Sequence, residues 1–174
     1  MKHRATFVMC VLVAASLAAA ESKEARIKRA VSAGPPSISK DAKIMDADEK
    51  GNMVTLREGN NGWICMPGHP DRVGDVAMCL DGPAMQWVQD LLAHKENPTN
   101  TQPGIMYMLI GGTDWSATDP WATSGTPIRE PPHWMIMWPF DPKTSGLPTE
   151  PKQTGTWIMW AGTPYAHLMI NQKP

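Results

Sequence analysis

The stretch WICMPGHPDRVGDVAMCLDGPAMQWVQDLLAH, residues 63–94, decides the fold class because it joins a strand pattern to a helix pattern. Its first four residues follow two similar runs, at 43–46 and 53–57, across turns rich in Gly and Asn, which predicts a three-stranded β-meander. Its last part, 83–94, begins with a proline suited to a first helical turn. Four apolar side chains then fall on one helical face: Met85, Val88, Leu91 and Leu92.

Periodicity in the remaining chain predicts an α+β fold, in which a mostly antiparallel sheet packs against this helix. Further strands are expected at 105–110, 133–138, 156–160 and 166–170. A short N-terminal helix is expected within 21–33, and residues 21–40 would form a helix or arm beside a single domain at 41–174. Residues 112–132 show no periodicity and contain two tryptophans, which predicts a long loop that is either functional or disordered.

Two of the three cysteines, Cys65 and Cys79, are expected to form a disulfide. Such a bridge closes a loop of about 15 residues and contributes about 3 kcal/mol through chain entropy. A pair of metal-binding or redox thiols is the alternative, although these more often show a CxxC spacing. Cys10 lies in the apolar run near the N-terminus and is expected to be removed.

The first twenty residues, MKHRATFVMCVLVAASLAAA, have the three parts of a secretory signal peptide. They are basic residues at 2–4, an apolar run at 7–17 and small residues at 18–20. The apolar run is too short to cross a bilayer of ~30 Å, and no later stretch is long enough. We therefore expect an exported protein, periplasmic or extracellular, with no transmembrane segment.

The charge balance excludes some partner classes. The formal net charge is −1, and it falls to near −3 once Lys2 and Arg4 leave with the signal peptide. The chain carries no basic cluster of the kind that binds a phosphate backbone or an anionic membrane, so nucleic acid is not an expected partner. The oligomeric state stays open.

Two strands repeat a histidine followed by a methionine two residues later. His133 and Met135 would share a face of one strand, and His167 and Met169 a face of another. If the strands are neighbours, the four side chains could form a copper site, because imidazole and thioether are ligands that suit copper. The alternative is ordinary core packing, since thirteen methionines make some coincidences inevitable and methionine fills irregular gaps.

Eight tryptophans against two phenylalanines are unusual, and four of the tryptophans lie within residues 115–138. An indole has a large apolar body and one N–H donor, so it suits ligand grooves as well as cores. A pocket for a planar or sugar-like ligand could be walled by Trp115, Trp121, Trp134 and Trp138. Alternatively, these side chains cap the open ends of the sheet.

Catalytic groups are fewer. A general acid and base could come from Asp114, Asp119, His133 and His167, or from His69 with Asp71 or Asp75. The sequence contains no GxSxG, HExxH, phosphate-binding glycine loop or paired CxxC motif. A small hydrolase that uses His133 or His167 is therefore an alternative function, and a structural or interaction protein of the cell envelope is another.

The strings REGNNGWICMPG, HWMIMWPFDPKTSGLP and WAGTPYAHLMI resemble those of a family of uncharacterised exported bacterial proteins. The resemblance runs through most of the chain after residue 20 and implies a single domain and an exported bacterial setting. It implies no activity and no functional residues. The tryptophan and His/Met patterns favour a binding module for a small ligand or a soft metal.

Overall fold

A computed structural model describes residues 21–172, so the predicted signal peptide and Cys10 lie outside the described part of the chain. Within it, the helices are α1 (Lys23–Ser32), α2 (Pro36–Ser39), α3 (Gly82–Leu92) and α4 (Pro142–Ser145). The strands are β1 (Lys43–Ala47), β2 (Met53–Arg57), β3 (Ile64–Met66), β4 (Met78–Leu80), β5 (Gly104–Met108), β6 (Gly112–Asp114), β7 (Ile128–Glu130), β8 (His133–Met137), β9 (Gly155–Met159) and β10 (His167–Asn171).

Eight strands form one sheet in the order β2-β1-β3-β4-β5-β8-β10-β9, and β6 and β7 form a separate hairpin. The neighbouring strands of the large sheet are antiparallel except for β1 and β3, which are parallel. The fold is therefore α+β with a mostly antiparallel sheet, as the sequence predicts. No helix in residues 21–172 is long and apolar enough to cross a membrane.

The predicted meander is wrong, because β3 does not pair with β2. After β2 the chain crosses over the start of β1, and β3 then pairs with the other edge of β1. At the crossing, Asn60 N–H donates to Asp41 O at 3.0 Å and Lys43 N–H donates to Trp63 O at 2.9 Å. A Cβ atom on Gly59 would lie 2.1 Å from Lys43 N. Only glycine lets the backbone pass this closely, so Gly59 fixes the crossover and the parallel pair.

Helix α3 confirms the predicted helix, but the face that it buries differs from the predicted apolar face. The Asp81 carboxylate accepts a hydrogen bond from Ala84 N–H at 2.9 Å and so caps the N-terminus. Trp87 is 2% exposed and turns towards the sheet, whereas Leu92 is 75% exposed. The sequence pattern predicts that Leu92 packs in the core with the rest of its helical face, and this is wrong. Trp87 is buried in the core instead.

The two faces of the sheet have separate cores. On one face, α1 packs Ala30 and Ala33 against Ile44 and the disulfide, so residues 21–40 cover part of the sheet. The disulfide joins Cys65 to Cys79, which are directly opposite in β3 and β4, and confirms the predicted pairing. On the other face, α3 packs on a core rich in methionine and tryptophan.

Residues 112–132 are not a structureless loop, because the β6-β7 hairpin lies within them. Its strands have only three residues each, too few for a periodic pattern to be visible in the sequence. The hairpin brings Asp114 and Glu130 to the end of the core beside β8.

Candidate functional site

The sheet face that packs against α3 carries methionines on successive strands, and we call it the methionine face. The register places Met106 of β5 opposite Met135 of β8, and Met135 opposite Met169 of β10. At the other edge, Met66 of β3 lies opposite Met78 of β4. Because side chains alternate along a strand, these thioethers all point to the same side of the sheet.

A cavity of about 920 Å³ lies between the methionine face and α3, and we call it the methionine cavity. Strands β2, β3 and β4 contribute Met53, Met66 and Met78 to its wall. Strands β5 and β8 contribute two methionines each, and β9 contributes one: Met106, Met108, Met135, Met137 and Met159. From the helix side, Val88 and Leu91 complete the apolar lining.

The end of the cavity next to α3 is aromatic. Trp87 and Trp160 are stacked with ring centroids 5.8 Å apart. The His167 ring stands edge-on to both, with centroids at 5.3 Å from Trp87 and 4.9 Å from Trp160. The indole N–H of Trp87 is buried without a hydrogen-bond partner. This end therefore offers flat apolar walls and one free donor.

The β6-β7 hairpin supplies two carboxyl groups to the wall of the cavity, Asp114 and Glu130. Glu130 is 7% exposed and the neighbouring His133 is fully buried. Their closest atoms, Glu130 Oε2 and His133 Nε2, are 3.7 Å apart, too far for a hydrogen bond. Glu130 Oε1 and His133 Nε2 have no hydrogen-bond partner. We call this part of the wall the carboxyl end. Buried polar atoms that make no hydrogen bond lie in it or directly behind it.

Burial, together with the nearby Asp114 carboxylate, raises the pKa of Glu130 to about 8. Burial also raises the pKa of Asp114, against hydrogen bonds from the backbone N–H groups of Ser116 and Trp115. Desolvation disfavours the charged form of a carboxyl group, and a like charge adds to the effect. Glu130 is consequently protonated at neutral pH in the unliganded protein.

Both histidines of the methionine face are held neutral. Burial lowers the pKa of His133, and it lowers the pKa of His167 to about 4, while a backbone carbonyl opposes each shift. These carbonyls, Pro131 O and Tyr165 O, lie 2.7 and 3.0 Å from the Nδ1 atoms. A carbonyl only accepts hydrogen bonds, so each Nδ1 carries the proton and each Nε2 is an acceptor.

The four tryptophans predicted to wall a pocket are not brought together, and none of them lines the methionine cavity. Trp134 lies on the opposite face of the sheet, 6.3 Å from Tyr107 between ring centroids. Trp121 stacks on His94 and donates its N–H to Leu91 O. Trp138 follows the end of β8, and Trp115 lies beyond β6. The indoles at the cavity are instead Trp87 and Trp160, outside the predicted set.

The predicted copper ligands share one face, but the histidines do not meet. Strands β8 and β10 are neighbours, and Met135 lies opposite Met169. His133 lies opposite Asn171, four residues from His167 along β10, so their Cα atoms are about 14 Å apart at 3.4 Å per residue. No group of three or more His, Cys, Asp or Glu residues in 21–172 is arranged to hold a metal ion. The two histidines therefore lie on neighbouring strands and on the same face, as predicted, but four positions out of register.

The predicted acid and base groups divide between the cavity and other parts of the molecule. Asp114 and His167 line the cavity, and His69 and Asp75 lie at its rim, whereas Asp119 and Asp71 do not line it. Within 21–172, no Ser, Thr or Cys side chain lines the cavity. Acid and base groups are thus present without a hydroxyl or thiol nucleophile in the wall.

No protein-family model, curated protein or solved structure matches this chain. The site is therefore described from its own geometry. Sequence reasoning missed Glu130 and Trp87, the residues that define its two ends. The short segment Ile128–Glu130 shows no pattern from which the burial of Glu130 could be predicted. Trp87, in contrast, lies three residues after Ala84, and this helical spacing would have placed both side chains on the buried face of the helix.

Proposed function

We propose that this chain is a binding protein for a small, mainly apolar molecule, which occupies the methionine cavity. One observation carries the proposal: a cavity of about 920 Å³ is lined by methionines from six strands. Ligand pockets have volumes of roughly 300–1,000 Å³ and are mostly apolar with a few polar groups. The methionine cavity has this size and an apolar wall of methionines and indoles, and charged side chains such as Arg26, Asp46 and Glu49 also line it.

The choice of methionine favours a ligand that is elongated or variable in shape. Its side chain is unbranched and has three rotatable bonds, so a wall of methionines adapts to the molecule that it contacts. The rings of Trp87 and Trp160 add flat surfaces at one end. Leucine or isoleucine at the same positions would give a wall of more fixed shape.

A neutral alkyl alcohol tests the proposal because it depends on apolar contact alone. We expect decanol to bind with a dissociation constant in the micromolar range, measured by titration calorimetry. Met106→Trp places a larger ring in the cavity and should weaken binding by about tenfold or more. Ile105→Trp is the matched control, since Ile105 is the neighbouring residue on the opposite face.

Two further readouts keep this test decisive. Bound decanol should raise the melting temperature of the parent, because a ligand that binds only the folded state stabilises it. Met108→Trp repeats the blockage at a second position if Met106→Trp does not fold. Absence of decanol binding, or equal weakening by Ile105→Trp, would contradict the proposal.

We further propose that the protein acts outside the cytoplasm, in the periplasm or the extracellular space. The disulfide supports an oxidising compartment. The signal-peptide pattern of residues 1–20 and the resemblance to exported bacterial proteins support export. Fractionation of expressing cells, followed by N-terminal sequencing, should find a mature chain that begins at Glu21; full-length protein in the cytoplasm would contradict export.

A further inference from the structure

At the carboxyl end of the methionine cavity, buried polar atoms of Glu130 and of His133 behind it have no hydrogen-bond partner. His133 Nε2 is an acceptor because its Nδ1–H donates to Pro131 O. Glu130 Oε1 is buried and has no partner, and Asp114 Oδ1 accepts from Ser116 N–H at 3.3 Å. Leaving buried polar atoms unpaired is costly, so this end of the cavity is suited to a group that brings several donors.

We propose that the molecule bound in the methionine cavity carries a protonated amine, and that Glu130 and Asp114 bind this ammonium group. This inference rests on the proposed function. An ammonium group has three donors and one positive charge. It would pair the free oxygen of Glu130 and offset the repulsion between the Glu130 and Asp114 carboxylates, which arises when both groups are ionised. The alkyl or aromatic part of the amine would then lie along the methionines.

The positive side chains near the cavity do not favour an anionic ligand. Arg29 is occupied, because it donates to Pro67 O and Gly68 O and pairs with Glu21. The Arg72 side chain is 69% exposed and lies 3.9 Å from Asp75. A smaller cavity of about 420 Å³ on the other side of Glu130 is also lined by Arg129, which is exposed. Arg26 also lines the cavity, and its guanidinium pairs with Asp46 at 2.8 Å, whereas its buried Nε–H has no partner. Beside Glu130, the buried atoms without a partner are Glu130 Oε1 and His133 Nε2, and neither belongs to a cationic side chain.

Binding of an ammonium group should release a proton. In the free protein at pH 6.5, Glu130 is protonated, because burial and Asp114 raise its pKa to about 8. The cation favours the carboxylate, so Glu130 gives its proton to solvent and an ion pair replaces the neutral acid. Other ionisable groups that face Glu130 from β6, β8 and the cavity rim are Asp114, His133, His69, Asp75, Arg29 and Arg72. The test must therefore separate Glu130 from these groups.

The experiment compares three ligands of equal chain length on the disulfide-bonded chain 21–174: decylamine, decanol and decanoic acid. Calorimetric titrations at pH 6.5, in buffers of different ionisation enthalpy, give both the affinity and the number of protons released. We expect decylamine to bind at least about tenfold more tightly than decanol, and decanoic acid to bind most weakly. Close to one proton should be released per decylamine bound.

Glu130→Gln keeps the shape of the side chain and removes its titration. It should lose about tenfold in affinity for decylamine and release no proton, so that its preference for decylamine over decanol disappears. Asp114→Asn should reduce the preference for decylamine and is the second variant if Glu130→Gln does not fold. Asp71→Asn is the matched control, because Asp71 is an exposed carboxylate of the same loop that does not line the cavity.

The outcomes distinguish the two proposals. If decanol binds but decanoic acid binds as tightly as decylamine, or Glu130→Gln keeps the preference for decylamine, the ammonium inference is overturned and the apolar binding function stands. If none of the three ligands binds, the proposed function fails and the inference fails with it.

Discussion

The buried carboxyl group of Glu130 makes a specific prediction about stability and pH. Its pKa is about 8 in the folded protein, whereas an exposed glutamate has an ordinary value of 4.5. The folded state therefore binds a proton more tightly than the unfolded state does. Stability from this group is complete below about pH 4.5 and is lost as the pH rises through about 8.

The two buried histidines act in the opposite direction and in a different pH range. Burial lowers the pKa of His167 to about 4, from an ordinary value of 6.5, and lowers that of His133 as well. Unfolding at acidic pH lets them take up protons, so their contribution to stability rises with pH and is complete above about 6.5. Above that value, Glu130 is the buried group whose protonation changes.

The magnitude follows from the pKa of Glu130. Each pKa unit corresponds to about 1.4 kcal/mol, so ionisation of Glu130 between pH 6.5 and about 9 should lower the free energy of unfolding by about 2 kcal/mol. Glu130→Gln removes this decrease, and groups that titrate in both proteins cancel in the comparison. Urea denaturation followed by tryptophan fluorescence measures both free energies.

The comparison has a clear outcome. The stability of Glu130→Gln relative to the parent should increase by about 2 kcal/mol between pH 6.5 and pH 9, because only the parent loses a proton from a buried carboxyl group over this range. A difference between the two proteins that stays constant from pH 6.5 to 9 would refute the assignment of a protonated, buried Glu130.

Three other predictions concern the core, the disulfide and the predicted copper site. Trp87→Ala should lower the free energy of unfolding by about 3–5 kcal/mol, because Trp87 is 2% exposed, whereas Leu92→Ala should lower it by less than about 0.5 kcal/mol. If urea denaturation gave similar losses for both variants, the helix would not bury Trp87 and expose Leu92 as described. Cys65→Ser should cost about 2–5 kcal/mol, and thiol titration of the unreduced chain 21–174 should find no free thiol, so that two thiols per chain would exclude the bridge. Cuprous copper, titrated with ascorbate as reductant, should bind equally to the parent and to His133→Ala, and a tight site lost in the variant would show that His133 is a ligand after all.

Local patterns in the sequence predict the elements that are long enough to show a period. The strands around His133 and His167 alternate as predicted, and both have buried and half-buried residues in turn. The helix from residue 82 is visible because proline and apolar residues occur at helical positions. Its rotation differs from the prediction, because Trp87 contributes more buried surface than Leu92 and turns the helix accordingly.

Pairing between distant strands is not contained in such patterns. The parallel pair of β1 and β3 depends on a crossover at Gly59, where backbone atoms meet that are 16 residues apart in the chain. Likewise, each methionine is an ordinary apolar residue in its own strand. Only the strand order places the methionines of β3, β4, β5, β8 and β9 on one face and creates the cavity.

The polar end of the site was partly visible in the sequence. Asp114 and His133 were candidates because carboxylate and imidazole are acid and base groups, but Glu130 was not among them. Its burial results from the β6-β7 hairpin, whose three-residue strands carry too few residues to show alternation. The signal peptide and the resemblance to exported bacterial proteins stay predictions, since neither is tested by residues 21–172.

Occupation of the methionine cavity is tested most directly by nuclear magnetic resonance of the methionine methyl groups. The chain is labelled with carbon-13 at these methyls, and spectra are recorded during titration with decylamine. We predict that the signals of Met106, Met108 and Met135 shift and saturate together, because they line the cavity, whereas that of Met45, which does not line it, stays unchanged. Unchanged cavity signals at saturating decylamine, or shifts of Met45 as large as those of Met106, would contradict a ligand site in the methionine cavity.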